Sequence, residues 1–218
     1  MKLRTVIPRE PINALTHLVG AVIFGTGFIF LFVNAIHTGE FRYILSSVIY
    51  GIGLIGLYTA STIYHWADGS ERTLINLKKI DHSMIYVFIA ATYTPICMVT
   101  LAGRFGYTLL GIVWAMAIIG IVIKFLWINL PRWLYTSFYL ILGWVAVVAV
   151  YPLSRTLEMS GLILLILGGL LYTSGAVIYA LKPKGLTVWK FGFHEIFHLF
   201  ILAGSMMHYA MIYGFVIQ

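Results

Sequence analysis

Seven apolar runs of membrane-spanning length divide this chain, at about 14–36, 43–65, 82–101, 107–127, 133–151, 160–181 and 193–216. A helix needs about 20 apolar residues to cross the hydrocarbon core of a bilayer, and only helices or closed barrels satisfy their backbone groups there. The chain is therefore read as an all-α polytopic membrane protein, a bundle of seven transmembrane helices forming one domain over residues 1–218. Composition points the same way, because 61% of residues are hydrophobic and only 10% are charged, a balance that water does not solvate at this length. The first run lacks a small-residue cleavage pattern after it and is followed by others of similar strength. It reads as a retained span and not a secretory signal. Among the connecting loops, only WADGSERTLINLKKID has room for a surface helix. No internal repeat, linker or low-complexity segment stands out.

The basic residues set the expected orientation. Lys2, Arg4, Arg9, Arg72, Lys78, Lys79, Lys124, Arg132, Lys182, Lys184 and Lys190 fall on one side of the drawn spans, and Arg42, Arg104 and Arg155 on the other. By the positive-inside rule the N-terminus is cytoplasmic and, after seven spans, the C-terminus is outside. Trp66, Trp127, Trp133 and Trp189 mark the same cytoplasmic span ends, where amphipathic indole rings prefer to lie. A net charge of +7 scattered between apolar runs, with no single patch, argues against a nucleic-acid partner. Cys97 is the only cysteine, which excludes an intrachain disulfide framework and a Cys-rich metal site. His and carboxylate remain as possible ligands.

Ionisable side chains within a bilayer are expensive and mark function by default. His194 and His198, four residues apart in GFHEIFHLF, project from one face of the seventh helix and can grip one ion. The second span ends in ASTIYHW, with Ser61 and His65 one turn apart, and the third begins in KIDHSMIY, with Asp81 and His82. Three spans thus bring histidines and a carboxylate to one layer at the cytoplasmic surface. Three imidazoles without thiolate suit zinc, with a fourth position left for water as in catalytic sites. Asp81 is the favoured group to hold that water and accept its proton, with Ser61 donating a hydrogen bond from the face that carries His65. Glu195 is a rival base, since H-E-x-x-H matches the zinc-protease helix, yet it equally reads as an interfacial charge. His17 reads as a packing residue at the rim, hydrogen-bonded to Glu10, Asn13 or Thr16. His208, ten residues beyond His198 and about 15 Å deeper, and His37, in the first external loop, read as structural or solvated. Pro95 predicts a kink in the third span, with Thr92 and Thr94 at hand to satisfy the freed carbonyl.

These residues together resemble the haemolysin-III family, within the wider superfamily of progestin and adiponectin receptors (PAQR). The resemblance covers essentially the whole chain. It rests on E-x-x-N-x-x-T-H-x-x-G at Glu10, Asn13, Thr16, His17 and Gly20, and on S-x-x-x-H at Ser61 and His65 with Asp81 following. DHSMIYVFIAATYTP and H-x-x-x-H at His194 and His198 complete it. The resemblance implies zinc bound by His65, His194 and His198 with a water held by Asp81, in a bacterial plasma membrane. It also implies kinship with membrane hydrolases that carry a Ser, Asp and three-His set, some of which cleave lipid amides such as ceramide. The family pattern requires no acid between the last two histidines. Bacterial members are also linked to membrane-lipid homeostasis, so the family name, given for cell lysis, need not describe the physiological role.

Four functions follow as expectations, the fourth and weaker being proton or ion transport, since few ionisable residues outside the cytoplasmic cluster mark a path across. The first is a zinc-dependent hydrolase of a lipid amide or ester entering from the inner leaflet, with membrane lipids as its surroundings and partners. The second is a receptor-like sensor in which zinc staples the spans. The third is a haemolysin that permeabilises other membranes, which the absence of an amphipathic pore-forming segment argues against.

Overall fold

The computed structural model describes residues 8–127, 129–183, 185–189 and 191–218. Lys2, Arg4, Lys184 and Lys190 of the charge count lie outside these residues. Among the described residues, seven helices are long and apolar enough to cross a membrane: Pro11–His37, Phe41–Trp66, Glu71–Thr100, Arg104–Leu126, Arg132–Thr156, Met159–Leu181 and Phe193–Phe215. We call them the first to seventh spans. No strand occurs among the described residues beyond one isolated bridge, Val188 to Phe191.

Local chemistry sets the ends of these helices. Pro11 occupies the first turn of the first span, where its missing N–H is no loss. Gly39, at φ 69°, makes the reversal into the second span. The third helix begins at Glu71, about three turns before the apolar run that starts at residue 82. The reason lies in Ser70, whose hydroxyl accepts the Thr73 N–H at 3.2 Å, followed by an acid in the first turn. The surface helix and the span are thus one continuous element, and its long amphipathic lead-in carries Lys78 and Lys79.

Prolines break the regular helix twice. After Pro95 the third span widens into a π-helical turn over Ile96–Thr100. Thr92 and Thr94 donate to Phe88 and Ala90 carbonyls at 2.8 and 3.1 Å, so neither hydroxyl serves the Ala91 carbonyl that Pro95 leaves free. In the fifth span Pro152 has no N–H to give to Val148, and the chain tightens to 3-10 geometry over Val145–Ala149. Tyr93 stabilises the start of that stretch, donating to the carbonyls of Leu142 and Gly143 at 3.2 and 2.7 Å.

The bundle presents apolar side chains outward and buries a set of polar ones within its apolar core. Val22, Ile29, Phe30, Ile119 and Leu126 are exposed, while Asn13, His17, Ser61, His65, Asp81, Lys124, His198 and His208 are buried. Only a surrounding of lipid makes that distribution favourable. Consecutive spans pack closely from first to fourth, the sixth packs on the seventh, and the seventh closes on the first. A β-carbon at Gly53 would lie 2.6 Å from that of Ala91, so a glycine is what allows the second and third spans to approach so closely. The fifth span makes looser contact with the third and sixth. A cavity of about 250 Å³ fills that side of the bundle and extends along its axis from the histidines past Phe88, Ile96 and Leu140 to Leu153.

Candidate metal centre

His65 stands in the last turn of the second span, and His194 and His198 in the first two turns of the seventh. The ring nitrogens they offer all lie within 4.8 Å of one another, so this trio can hold a metal ion. Ring centroids are 5.0 Å apart for His65 with either of the others and 4.8 Å apart for His194 and His198. His65 and His198 are 1% and 2% exposed. The Nε2 of His65 is buried with no hydrogen-bond partner among the described residues, leaving a lone pair for an ion to satisfy.

The other nitrogens of two of these rings face the first span. His65 Nδ1 is 2.7 Å from Glu10 Oε2. That hydrogen bond is the chief reason the Glu10 carboxyl, just ahead of the first span, is held down to about 2. Desolvation opposes the shift, and the charge of Arg9 and a bond from Asn13 support it. His198 Nδ1 lies 3.5 Å from Thr16 Oγ, whose own hydrogen is directed to the Ile12 carbonyl at 2.9 Å.

Asp81 and Ser61 are buried and line the same cavity as His17, His82, His194 and His198. Asp81 Oδ2 is 4.0 Å from His82 Nε2. The His82 ring lies 5.4 Å from that of Tyr135, and His82 is not one of the three histidines whose nitrogens converge. Histidine, acid and hydroxyl therefore meet at one end of an otherwise apolar chamber. That arrangement sets a few polar groups against an apolar lining, as ligand pockets do.

Glu195 is fully engaged elsewhere. Its Oε2 accepts the Gly192 N–H at 2.9 Å, closing the start of the seventh helix, and its Oε1 accepts from Asn13 at 3.1 Å. The match to H-E-x-x-H is thus a helix-start device in this fold. His17 stacks on His198 at 3.6 Å between centroids, and neither of its nitrogens has a partner among the described residues. The partners expected for it serve others: Glu10 binds His65, Asn13 joins Glu10 to Glu195, and Thr16 faces His198. Sequence reasoning missed this reassignment, although residues spaced by three on one helical face, at the depth of the cluster, were the available signal. His37 is exposed at the far end of the first span. His208 lies 3.3 Å from the Leu165 carbonyl and lines the deeper part of the cavity.

Residues 5–209 match the family described as haemolysin-III related. The chain is 40% identical over 200 residues to a hemolysin-3 homolog of Bacillus subtilis (strain 168), covering 91% of this chain and 90% of that protein. It is 35% identical over 212 residues to hemolysin-3 of Bacillus cereus, covering 97% and 93%. Similarity extends to the monocyte to macrophage differentiation factor of Homo sapiens, 30% identical over 175 residues, covering 78% and 70%.

Proposed function

The chain belongs to the haemolysin-III-related family of multi-pass cell-membrane proteins, and on that premise we propose that it is a zinc-dependent hydrolase of a lipid amide or ester. The observation that carries the reading is the convergence of three imidazoles with Asp81 and Ser61 at the polar end of a chamber of about 250 Å³. Zinc fits this donor set, because it accepts three nitrogens, needs no thiolate and leaves a fourth position open. His65, His194 and His198 would hold the ion through one ring nitrogen each. When bound, zinc supplies a Lewis acid and a route to a water-derived nucleophile at neutral pH.

The chain's own residues do the rest in this reading. Asp81 takes the proton from the attacking water and returns it to the leaving nitrogen or oxygen. Ser61 donates a hydrogen bond to the carbonyl oxygen as charge grows there. The apolar lining from Phe88 to Leu153 holds an acyl chain and keeps bulk water from the reacting bond. The distribution of Lys and Arg supports an N-terminus and a site at the cytoplasmic leaflet, with the C-terminus outside.

A second reading, a receptor-like sensor in which zinc is structural, draws support from one observation: the trio is already tied to a third helix through Glu10 and Thr16. The two readings separate in a lipid-hydrolysis assay on zinc-loaded protein in liposomes, run on a panel of amides and esters beside metal analysis. The hydrolase reading expects turnover that is lost in Asp81→Asn while metal stays. Fully loaded protein that cleaves no member of the panel favours the sensor. Lysis, which the name of the Bacillus cereus relative states of that protein, is tested by dye release from liposomes.

A further inference from the structure

We infer that Glu10, just ahead of the first helix, and Asn13 and Thr16 within it form the outer shell of the metal centre, fixing which ring nitrogens of His65 and His198 face the ion. The inference rests on the metal reading above and assigns a task to residues that the hydrolytic chemistry does not use.

A neutral imidazole carries one N–H, and the group that receives it decides which nitrogen keeps its lone pair. Metal-ligating histidines almost always give that hydrogen to a carboxylate, a carbonyl or water, which holds the ring and raises its basicity. Glu10 Oε2, 2.7 Å from His65 Nδ1, is such an acceptor and leaves the orphaned Nε2 pointing inward. Thr16 Oγ spends its hydrogen on its own helix and so presents only lone pairs to His198 Nδ1. Both rings are thereby set in the same tautomer, with Nε2 toward the centre.

The shell is itself braced. Arg9 lies 3.3 Å from Glu10 Oε1, and the Glu10 N–H donates to the His65 carbonyl at 3.0 Å, fixing the carboxylate to the end of the second span. Asn13 donates 3.1 Å bonds to Glu10 and to Glu195, which sits between the two ligands of the seventh span. One amide thus holds the second and seventh spans in register. Residues 10, 13 and 16 follow one another at three-residue spacing, which places all three on one face of the helix entry. Helix packing alone does not require this pattern, since it engages two carboxylates with ligand-bearing helices and leaves the buried amide oxygen of Asn13 unpaired among the described residues.

The test is zinc affinity by chelator competition on the full chain in detergent, with Glu10→Ala and Thr16→Val beside wild type. Melting of the metal-stripped proteins and the visible spectrum of their cobalt forms are measured in parallel. The inference expects each variant to bind zinc about 10–100-fold more weakly, to shift the cobalt bands, and to melt like wild type when stripped. Glu10→Gln, which keeps an acceptor without the charge, should recover part of the loss. Wild-type affinity in both variants overturns the inference, as does a weakening matched by equal loss of stability in the stripped proteins. A wild type that takes up no zinc instead overturns the metal reading itself, and the inference with it.

Discussion

Replacing His17 by Phe isolates what the stacked imidazole contributes. His17 is 3% exposed, lies parallel to His198 at 3.6 Å and edge-on to Tyr58 at 4.9 Å, and has two buried nitrogens without partners among the described residues. A Phe ring keeps both aromatic contacts and removes the two polar atoms. Each unsatisfied buried polar group costs about 1–3 kcal/mol. Crowding by the slightly larger ring takes back about 1 kcal/mol. With two such groups set against that crowding, the net expectation is a gain of about 1–5 kcal/mol, and a chain of this size moves by about 2–4 °C per kcal/mol. His17→Phe should therefore melt several degrees above wild type in detergent and retain its metal. The assay is thermal unfolding followed by circular dichroism, with metal content measured on the same preparation. A melting temperature lowered by a similar amount, together with lost metal, would refute the reasoning and make His17 a ligand or a partner of one.

Other expectations follow from the same geometry. Asp81→Asn should keep its metal while turnover falls by about 10²–10⁴, the usual share of a general base, read by lipid hydrolysis beside elemental analysis. Chelation of bound metal should lower the melting temperature by about 5–10 °C, since a ligand at a hundred times its Kd stabilises by about 2.7 kcal/mol; unchanged melting would mean that no metal had been holding the trio. Glu195→Ala removes the acceptor for Gly192 and for Asn13 and should cost about 1–2 kcal/mol, as loss of a helix-start partner does, with metal still bound. Reporter fusions should read as cytoplasmic before Met1 and extracytoplasmic after Gln218, and the reverse would move the site to the outer leaflet.

The spans were legible because a bilayer imposes one length and one polarity on whatever crosses it, and the histidine layer because an ionisable group inside a span needs a reason. Periodicity alone did not reveal that the helix of the third span starts at Ser70's cap, since polar lead-in turns carry no apolar signal. The π-helical turn after Pro95 and the 3-10 stretch before Pro152 depend on which carbonyls find donors, and Tyr93 reaches Leu142 and Gly143 from another helix. The partners of Glu10, Asn13 and Thr16 were misassigned to nearby His17 for the same reason. Contacts across 55 and 182 residues are settled by packing and leave no trace in local spacing.

The hydrolase reading stands or falls on a zinc ion held by three imidazoles with one position open. Zinc-edge X-ray absorption on detergent-purified wild type reads that shell. The expected result is about one zinc per chain with three imidazole nitrogens and one exchangeable oxygen at about 2.0–2.1 Å, and loss of that shell in His65→Ala and His198→Ala. A purified protein without zinc, or a zinc closed by four protein side chains, would contradict it.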